Sequence, residues 1–441
     1  MGLSRGFYMT VYFDANNIYD AGTKAMQSSK FKHGTQLFEM NHLLTTAHIR
    51  QDFITGDYKP DPGNKFPINE RGHPRYITSN TMVDKTVNHL LCDEVLTPSI
   101  SKYLIYDNGA SQKGKGVAFH RRRFEARLHQ YFMQNGTNEG YILLVDFSGY
   151  YANIPHDKCL EVLQTFLERE VEDPETLAIT EMLLPLIFKT FEQDVSRFTD
   201  KEIEAMMAGK IDPMLNYGVD PALLTGEKML RKGVDIGSQP SQNIGIVYPY
   251  RVDNYAKIVK AVKGYGRYTD DSYAIARTRE ELLELLDGLE KEAKEYGLII
   301  NRKKTRIVKL SSEFRHLQVC YSLTETGRII RKINPKNITR ERRKLKAYKR
   351  LLADGRIDYA TVENAFKSWL GSHWKYMSHD QVYNMSSLYL ELFGRRPKWK
   401  KGHGRLHWLM AHPSTASTST GTTTSAPPPS PRTPSPVSSP A

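Results

Sequence analysis

An apolar run, Tyr141-Ile142-Leu143-Leu144-Val145, stops on a carboxylate at Asp146, and far along the chain Tyr268-Thr269-Asp270-Asp271 sets two more side by side. The first stretch reads as a strand, and the second as a hairpin tip. An unpaired carboxylate at a strand end costs free energy unless a cation or a hydrogen bond satisfies it. A single aspartate of this kind reads most simply as a strand-end cap or a salt-bridge partner. Three of them converging from two strand ends make an oxygen-rich pocket of the sort hard divalent cations prefer, which is the layout of a two-metal phosphoryl transferase.

The bulk numbers agree with an anionic partner. The chain has 441 residues, with 62 Lys and Arg against 49 Asp and Glu, a formal charge of +13 and a pI near 9.3. That length suits more than one domain, and the excess of positive charge favours nucleic acid over a neutral metabolite. No apolar run approaches the roughly 18 to 20 residues of a membrane-spanning helix, and no secretory apolar region follows Met1-Gly2-Leu3-Ser4-Arg5. Membrane partners are therefore not expected. Cys92, Cys159 and Cys320 are widely separated, so neither a disulfide framework nor a CxxC zinc site is available. A reducing cytoplasm fits.

Pattern and turn residues outline the order of elements. Residues 1 to about 60 read as helical and mixed. Lys65 to Arg75 reads as strand, turn, strand, with Arg71-Gly72-His73-Pro74 as the turn, and Thr81 to Leu96 as a core-facing helix. His120-Arg121-Arg122-Arg123 and Arg127 lie on a helix ending near Gly136; this is either a solvated face or one that tracks phosphates. A long helical region follows from Lys158 to about Met229, then a Gly/Pro/Gln turn over Gly233 to Gln242, the Asp270 hairpin and a helix from Arg279 to Tyr296. Strands are expected at about Leu298 to Ile300 and Thr305 to Leu310. Gly109 to Gly116 approaches a phosphate-binding GxxxxGK[ST] loop, but Gly116 offers no hydroxyl for a metal, so it reads as a flexible basic loop. Arg340 to Arg350 packs seven basic residues into a few helical turns, and from His412 the Ser/Thr/Pro composition cannot support a core.

The ordered set of motifs resembles the reverse transcriptases. Val145-Asp146-Phe147-Ser148-Gly149-Tyr150-Tyr151 looks like their motif A, and Ile236-Gly237-Ser238-Gln239-Pro240-Ser241-Gln242 like motif B. Gly266-Arg267-Tyr268-Thr269-Asp270-Asp271 resembles motif C, the YxDD box. Gly297 to Val308, with Lys303-Lys304-Thr305, is similar to motif D, and Phe314-Arg315-His316-Leu317-Gln318 falls where the primer grip would lie. A YxDD box alone is weak; five elements in family order, over roughly residues 60 to 390, are specific.

The resemblance implies an α+β right-hand polymerase with fingers, palm and thumb, its palm an antiparallel sheet packed on helices, copying RNA into DNA. The segments it implies are an N-terminal helical extension over 1–60, fingers over 61–145 and a palm over 146–334. The palm would hold a helical insertion at about 168–232 and the primer grip at about 311–334, followed by a thumb over 335–395, a basic segment over 396–412 and a disordered tail over 413–441. Asp146, Asp270 and Asp271, with the Phe147 backbone carbonyl, would hold two Mg2+ ions, Mn2+ being the alternative. Tyr151 stands where RNA-synthesising relatives place a small or acidic residue, so its ring would exclude a ribose 2'-hydroxyl; packing alone is the plainer role for Tyr150 or Tyr151. Arg75 matches the arginine that contacts the triphosphate, His73 stands where a lysine is usual, and Arg71 can substitute. Lys303 or Lys304 would protonate the departing pyrophosphate, unless it is a solvated turn lysine. Gly237 would let the backbone approach the nascent base pair, and Ser241 and Gln242 would line the template side.

Arg340 to Arg350, with Trp369 and Trp374, would grip template and primer, while Trp399 and Trp408 among Lys398, Lys400, Lys401 and Arg405 resemble a stacking patch. The implied partners are an RNA template, a DNA primer or product, and dNTPs. Within the family, retrons and group II introns typically carry Gln before the motif B glycine and Pro after the serine, where this chain has Ile236 and Gln242. That pattern is similar to diversity-generating retroelements, which usually add a small basic accessory protein. The long insertion, Gln318 in place of the primer-grip glycine, and the tail depart from it, leaving phage-defence reverse transcriptases as the alternative. An inactive RNA-binding scaffold would be expected to lack an acidic ligand, and all three are present.

Overall fold

Residues 11–70, 73–211, 221–399, 406, 409, 410 and 412 are described by the computed structural model of the chain. Two units divide it, one of residues 1–317 with 321–330, the other of 318–320 with 331–441. The centre of the first unit is a four-stranded antiparallel sheet in the order Gly264–Tyr268, Asp271–Ala276, Tyr141–Asp146, Arg306–Lys309. Ile142, Leu143 and Val145 of the apolar run are buried, as are Tyr265, Tyr273 and Ala274 across the ladder. Helix Arg279–Glu295 buries Leu282, Leu285, Leu286, Leu289 and Ala293 at helical spacing in the same core. Helix Val117–Asn135 sets Phe124 edge-on to Tyr273, with ring centroids 4.8 Å apart. Each fully buried side chain of this size contributes about 1.5 to 3 kcal/mol, so the sheet that carries Asp146 and Asp271 is anchored by its own apolar residues.

Several expected boundaries move. In the first hairpin, strands Asn64–Glu70 and His73–Ser79 pair from Asn64↔Ser79 to Glu70↔His73, so His73 and Pro74 belong to the strand and only positions 71 and 72, which lie outside the described residues, connect it. Proline is tolerated because, among the described residues, this ribbon has no third strand to receive its missing N–H. Gln239 to Gln242 is not a turn but the start of helix Gln239–Val247: Ser238 caps it, accepting from the Ser241 N–H, and Pro240 occupies its first turn. Leu298 to Ile300 forms no strand; Ile300 makes a single bridge to Phe147.

Among the described residues, the region from Lys158 to Met229 holds the helices His156–Glu170, Pro174–Phe191 and Asp200–Met207, with a two-stranded pair Gln193–Asp194 and Met229–Leu230. The first two send Leu163, Phe166, Leu184 and Phe188 into the main core, while Val195, Phe198, Met206 and Leu230 make a small core of their own.

Neither reading of the basic helix at His120 describes it fully. Arg122 faces solvent, but Arg123 and Arg127 both bind the buried Asp107 carboxylate, at 2.6 and 2.5 Å. His120 is buried, and Arg121 donates to the Leu317 carbonyl at 2.6 Å. In the glycine-rich loop ahead of this helix, Lys115 donates to the Tyr106 and Asn108 carbonyls at 3.0 and 3.1 Å, which ties its ammonium to its own loop. No described helix is long and apolar enough to cross a membrane.

The second unit holds helices Pro335–Ala353, Tyr359–His373 and His379–Phe393 around Leu345, Phe366, Leu370, Met385 and Tyr389. Helix Pro335–Ala353 turns Glu341 and Leu345 inward and leaves Arg340, Arg342, Arg343, Lys346, Lys349 and Arg350 exposed on the outer side. Trp369, Trp374 and Trp399 pack against this core, so Trp399 is not a free-standing stacking platform; Trp408, Lys400, Lys401 and Arg405, like the tail from 413, lie outside the described residues.

Candidate active site

Asp146 and Asp271 are direct partners, the last pair of the ladder between their strands. Residues opposite one another in an antiparallel pair share a face, with Cβ atoms about 5 Å apart. Tyr268 pairs with Asp271 across the hairpin, which leaves Thr269 and Asp270 as a two-residue tip. Thr269 takes φ 56°, the left-handed backbone that such a tip demands. The chain leaving Asp146 is held from the other side: the Asn301 N–H donates to the Asp146 carbonyl at 2.8 Å and the Ser148 N–H to the Ile299 carbonyl at 2.7 Å. Those bonds bring the turn Asn301–Lys304 to the carboxylates. Lys304 Nζ stands 3.4 Å from Asp146 Oδ2, a buried oxygen with no hydrogen-bond partner; Lys303 and Lys304 are both exposed.

The three carboxylates repel one another. Burial pushes Asp271 up to about 7, and the Asp270 and Asp146 charges add to it, against Arg315 and Lys304. Asp270 is also raised, by burial first and then by Asp146, with Arg75 and Lys304 opposing. Arg75, exposed on its strand, therefore sits within electrostatic reach of the tip; Arg71 lies outside the described residues. Among the described residues no three His, Cys, Asp or Glu side chains close into a metal cage. The donor set nonetheless fits a divalent cation. It is all oxygen, two of its members resist ionisation partly because of their neighbours, and one oxygen is orphaned, all of which a bound cation relieves.

A family model described as reverse transcriptase (RNA-dependent DNA polymerase) matches residues 59–321, more than half of the chain, including Asp146, Asp270 and Asp271. The chain belongs to the reverse transcriptase family. Its fold is that of a right-hand polymerase, with mixed helices and antiparallel sheets, and reverse transcriptase domains generally use divalent metals. Among solved structures, the telomerase of Candida albicans in complex with a TWJ fragment of telomeric RNA is similar at 12% identity and a TM-score of 0.41, over 79% of this chain and 61% of that one. The apo telomerase of Candida tropicalis, truncated from its C-terminal domain, is similar at 13% identity and a TM-score of 0.42, over 62% and 55%. The chain thus spans less than two thirds of either. No curated protein matches it.

In this member of the family the two motif A tyrosines have different surroundings. Tyr150 is buried and its hydroxyl donates to the Gly245 carbonyl, so it is the packing residue. Tyr151 is half-buried, and its hydroxyl is pushed up to about 12 by burial and by the Asp270 charge. Its ring lies over Gly245 of the motif B helix: a Cβ there would stand 2.5 Å from Tyr151 Oη and 2.9 Å from the ring. Gly245 escaped the sequence reading, because a glycine inside a helix gives no sign of the ring that crosses it. Gly245→Ala is expected to cost about 1 to 3 kcal/mol in urea unfolding through overpacking, and the same substitution made in a Tyr151→Ala background should cost much less. An equal cost in both backgrounds would place the crowding elsewhere.

Gly237 adopts φ 126°, and a Cβ there would press on Ile77 Cγ2 at 3.3 Å and the Thr78 carbonyl at 3.4 Å. With Gln242 it lines a cavity of about 870 Å3 that also receives Lys24, Lys85 and Lys113; none of the three carboxylates lines it. Ser241 does not face a ligand: it is buried, and its hydroxyl donates to the Ser238 carbonyl at 2.9 Å. Asp235, also missed from sequence, accepts from the Ser238 hydroxyl at 2.7 Å and so orients the helix cap. At the primer-grip position Leu317 and Gln318 take φ 42° and 71°, backbone that glycine adopts at less cost.

Proposed function

We propose that this chain is an RNA-directed DNA polymerase that extends a primer with dNTPs on an RNA template. The observation that carries the reading is Asp271 opposite Asp146, with Asp270 at the adjoining tip, inside the span that matches the family. Asp146, Asp270 and Asp271, with the Phe147 carbonyl, are the groups to hold two Mg2+ ions, or Mn2+ in their place. Bound there, the ions would supply Lewis acidity to the primer 3'-hydroxyl and neutralise charge on the triphosphate. Arg75 and Arg71 take phosphate oxygens. Lys304, at the carboxylates, is better placed than Lys303 to give a proton to the pyrophosphate leaving group. Tyr151 excludes the 2'-hydroxyl of a ribonucleotide. Gly237 and Gln242, which line one cavity, take the template side.

In this reading residues 61–145 are fingers, 146–334 palm with the insertion at about 168–232, and 335–395 thumb, whose outer row of arginines and lysines neutralises nucleic-acid phosphates. The Ile236 and Gln242 pattern favours a diversity-generating retroelement in the cytoplasm, with a small basic accessory protein. The helical insertion favours a phage-defence enzyme as the second reading. An adjacent template repeat and variable gene in the flanking genome would support the first, and a defence cluster the second. The activity is tested by incubating the purified chain with a primed RNA template, dNTPs and Mg2+. Template-dependent extension is expected. Tight RNA binding without incorporation would replace the reading with that of an inactive scaffold.

A further inference from the structure

Arg267, in the strand that leads into the YxDD tip, has a fully buried guanidinium. Its Nε donates to both Asp253 oxygens, at 2.9 and 3.0 Å, and its Nη2 to Asp253 Oδ2 at 2.7 Å. Tyr265 Oη donates to Asp253 Oδ1 at 2.8 Å and completes the carboxylate's shell. The remaining donors go to three backbone carbonyls. Nη1 reaches the Thr269 carbonyl at 2.9 Å and, more distantly, that of Gly245 at 3.5 Å; Nη2 reaches Ile246 at 2.6 Å.

Those carbonyls belong to the two segments that shape the site. Thr269 is the tip residue immediately before Asp270, and Gly245 is the residue over which the Tyr151 ring lies. Burying an ion pair is costly, and an apolar pair of similar volume is often no less stable. What an apolar pair lacks is the means to bind three separate carbonyls at fixed angles, which the planar fork of an arginine has and a lysine ammonium does not. We infer that the Arg267–Asp253 pair is a positioning device that locks the Asp270 tip and the Gly245 floor of Tyr151 into one rigid piece, so that sugar selection depends on it although it touches no substrate. The inference rests on Tyr151 acting as the sugar gate.

The test is the ratio of kcat/KM for a dNTP to that for the matching rNTP, measured on the full chain at a temperature where each variant is folded. Arg267→Lys is expected to lower that ratio on the order of tenfold, since small misplacements at a reacting centre are amplified. Tyr265→Phe removes one hydrogen bond to Asp253, so it serves as the milder variant if Arg267→Lys does not fold. It should lower the ratio a few-fold in the same direction. Leu289→Ala weakens the core away from these carbonyls and should leave the ratio as it is, which separates positioning from general loss of stability. A lowered ratio in Tyr151→Ala with an unchanged one in both Arg267→Lys and Tyr265→Phe overturns this inference alone. An unchanged ratio in Tyr151→Ala removes the gate and this inference with it.

Discussion

Asp270→Asn is expected to lower primer extension on the order of a thousandfold, about 4 kcal/mol of transition-state stabilisation, while RNA binding stays within about twofold of wild type. The amide keeps the shape of the carboxylate but loses the charge that would hold a divalent cation. Thermal stability should move the other way. Asp270 is raised by burial and by the neighbouring Asp146 charge, and its own charge raises Asp271, so a neutral side chain at the tip removes repulsion within the folded state. Loss of activity with equal or higher Tm separates a catalytic carboxylate from a structural one. Extension within tenfold of wild type, in a folded variant, would remove Asp270 from the site and with it the metal reading of the hairpin.

Tyr151→Ala is expected to lower discrimination against ribonucleotides on the order of ten- to a hundredfold, mainly by admitting rNTPs rather than by slowing dNTP incorporation. The physical reason is steric: the half-buried ring lies over Gly245 and has no room to move toward it. Tyr151→Phe keeps the ring and should keep the discrimination. The measurement is kcat/KM for paired dNTPs and rNTPs on the same primed template. If the alanine variant discriminates as well as wild type, Tyr151 is a packing residue like Tyr150.

Both predictions concern residues legible in the sequence, and the reason is chemical. Carboxylates at the ends of apolar strands are expensive, so Asp146 and Asp271 stand out, and a two-residue tip is the simplest way to carry Asp270 beside them. The basic helix at His120 was harder to interpret because charge on a helix is ambiguous: Arg123 and Arg127 neither face solvent alone nor wait for phosphate, but satisfy Asp107. Local boundaries failed where tertiary contacts decide them. Ser238 ends the loop at Gly237 by capping a helix whose hydrogen bonds a Gly/Pro/Gln composition conceals, and Leu298 to Ile300 joins the strand end at Phe147 by a bridge and a Ser148–Ile299 bond rather than by a ladder.

The three acidic residues, the aromatic at position 151, the order of the motifs and the basic character are legible in the chain alone, because each is a matter of residue type at a given place. Folding is what sets which of two tyrosines packs and which overlies the motif B helix, which of two lysines reaches Asp146, and that Arg267 binds the Asp270 tip and the Gly245 segment together. These depend on which side chain and which carbonyl meet across strands and helices remote in the chain. A buried guanidinium shared among three carbonyls leaves no trace in the spacing of the residues that receive it.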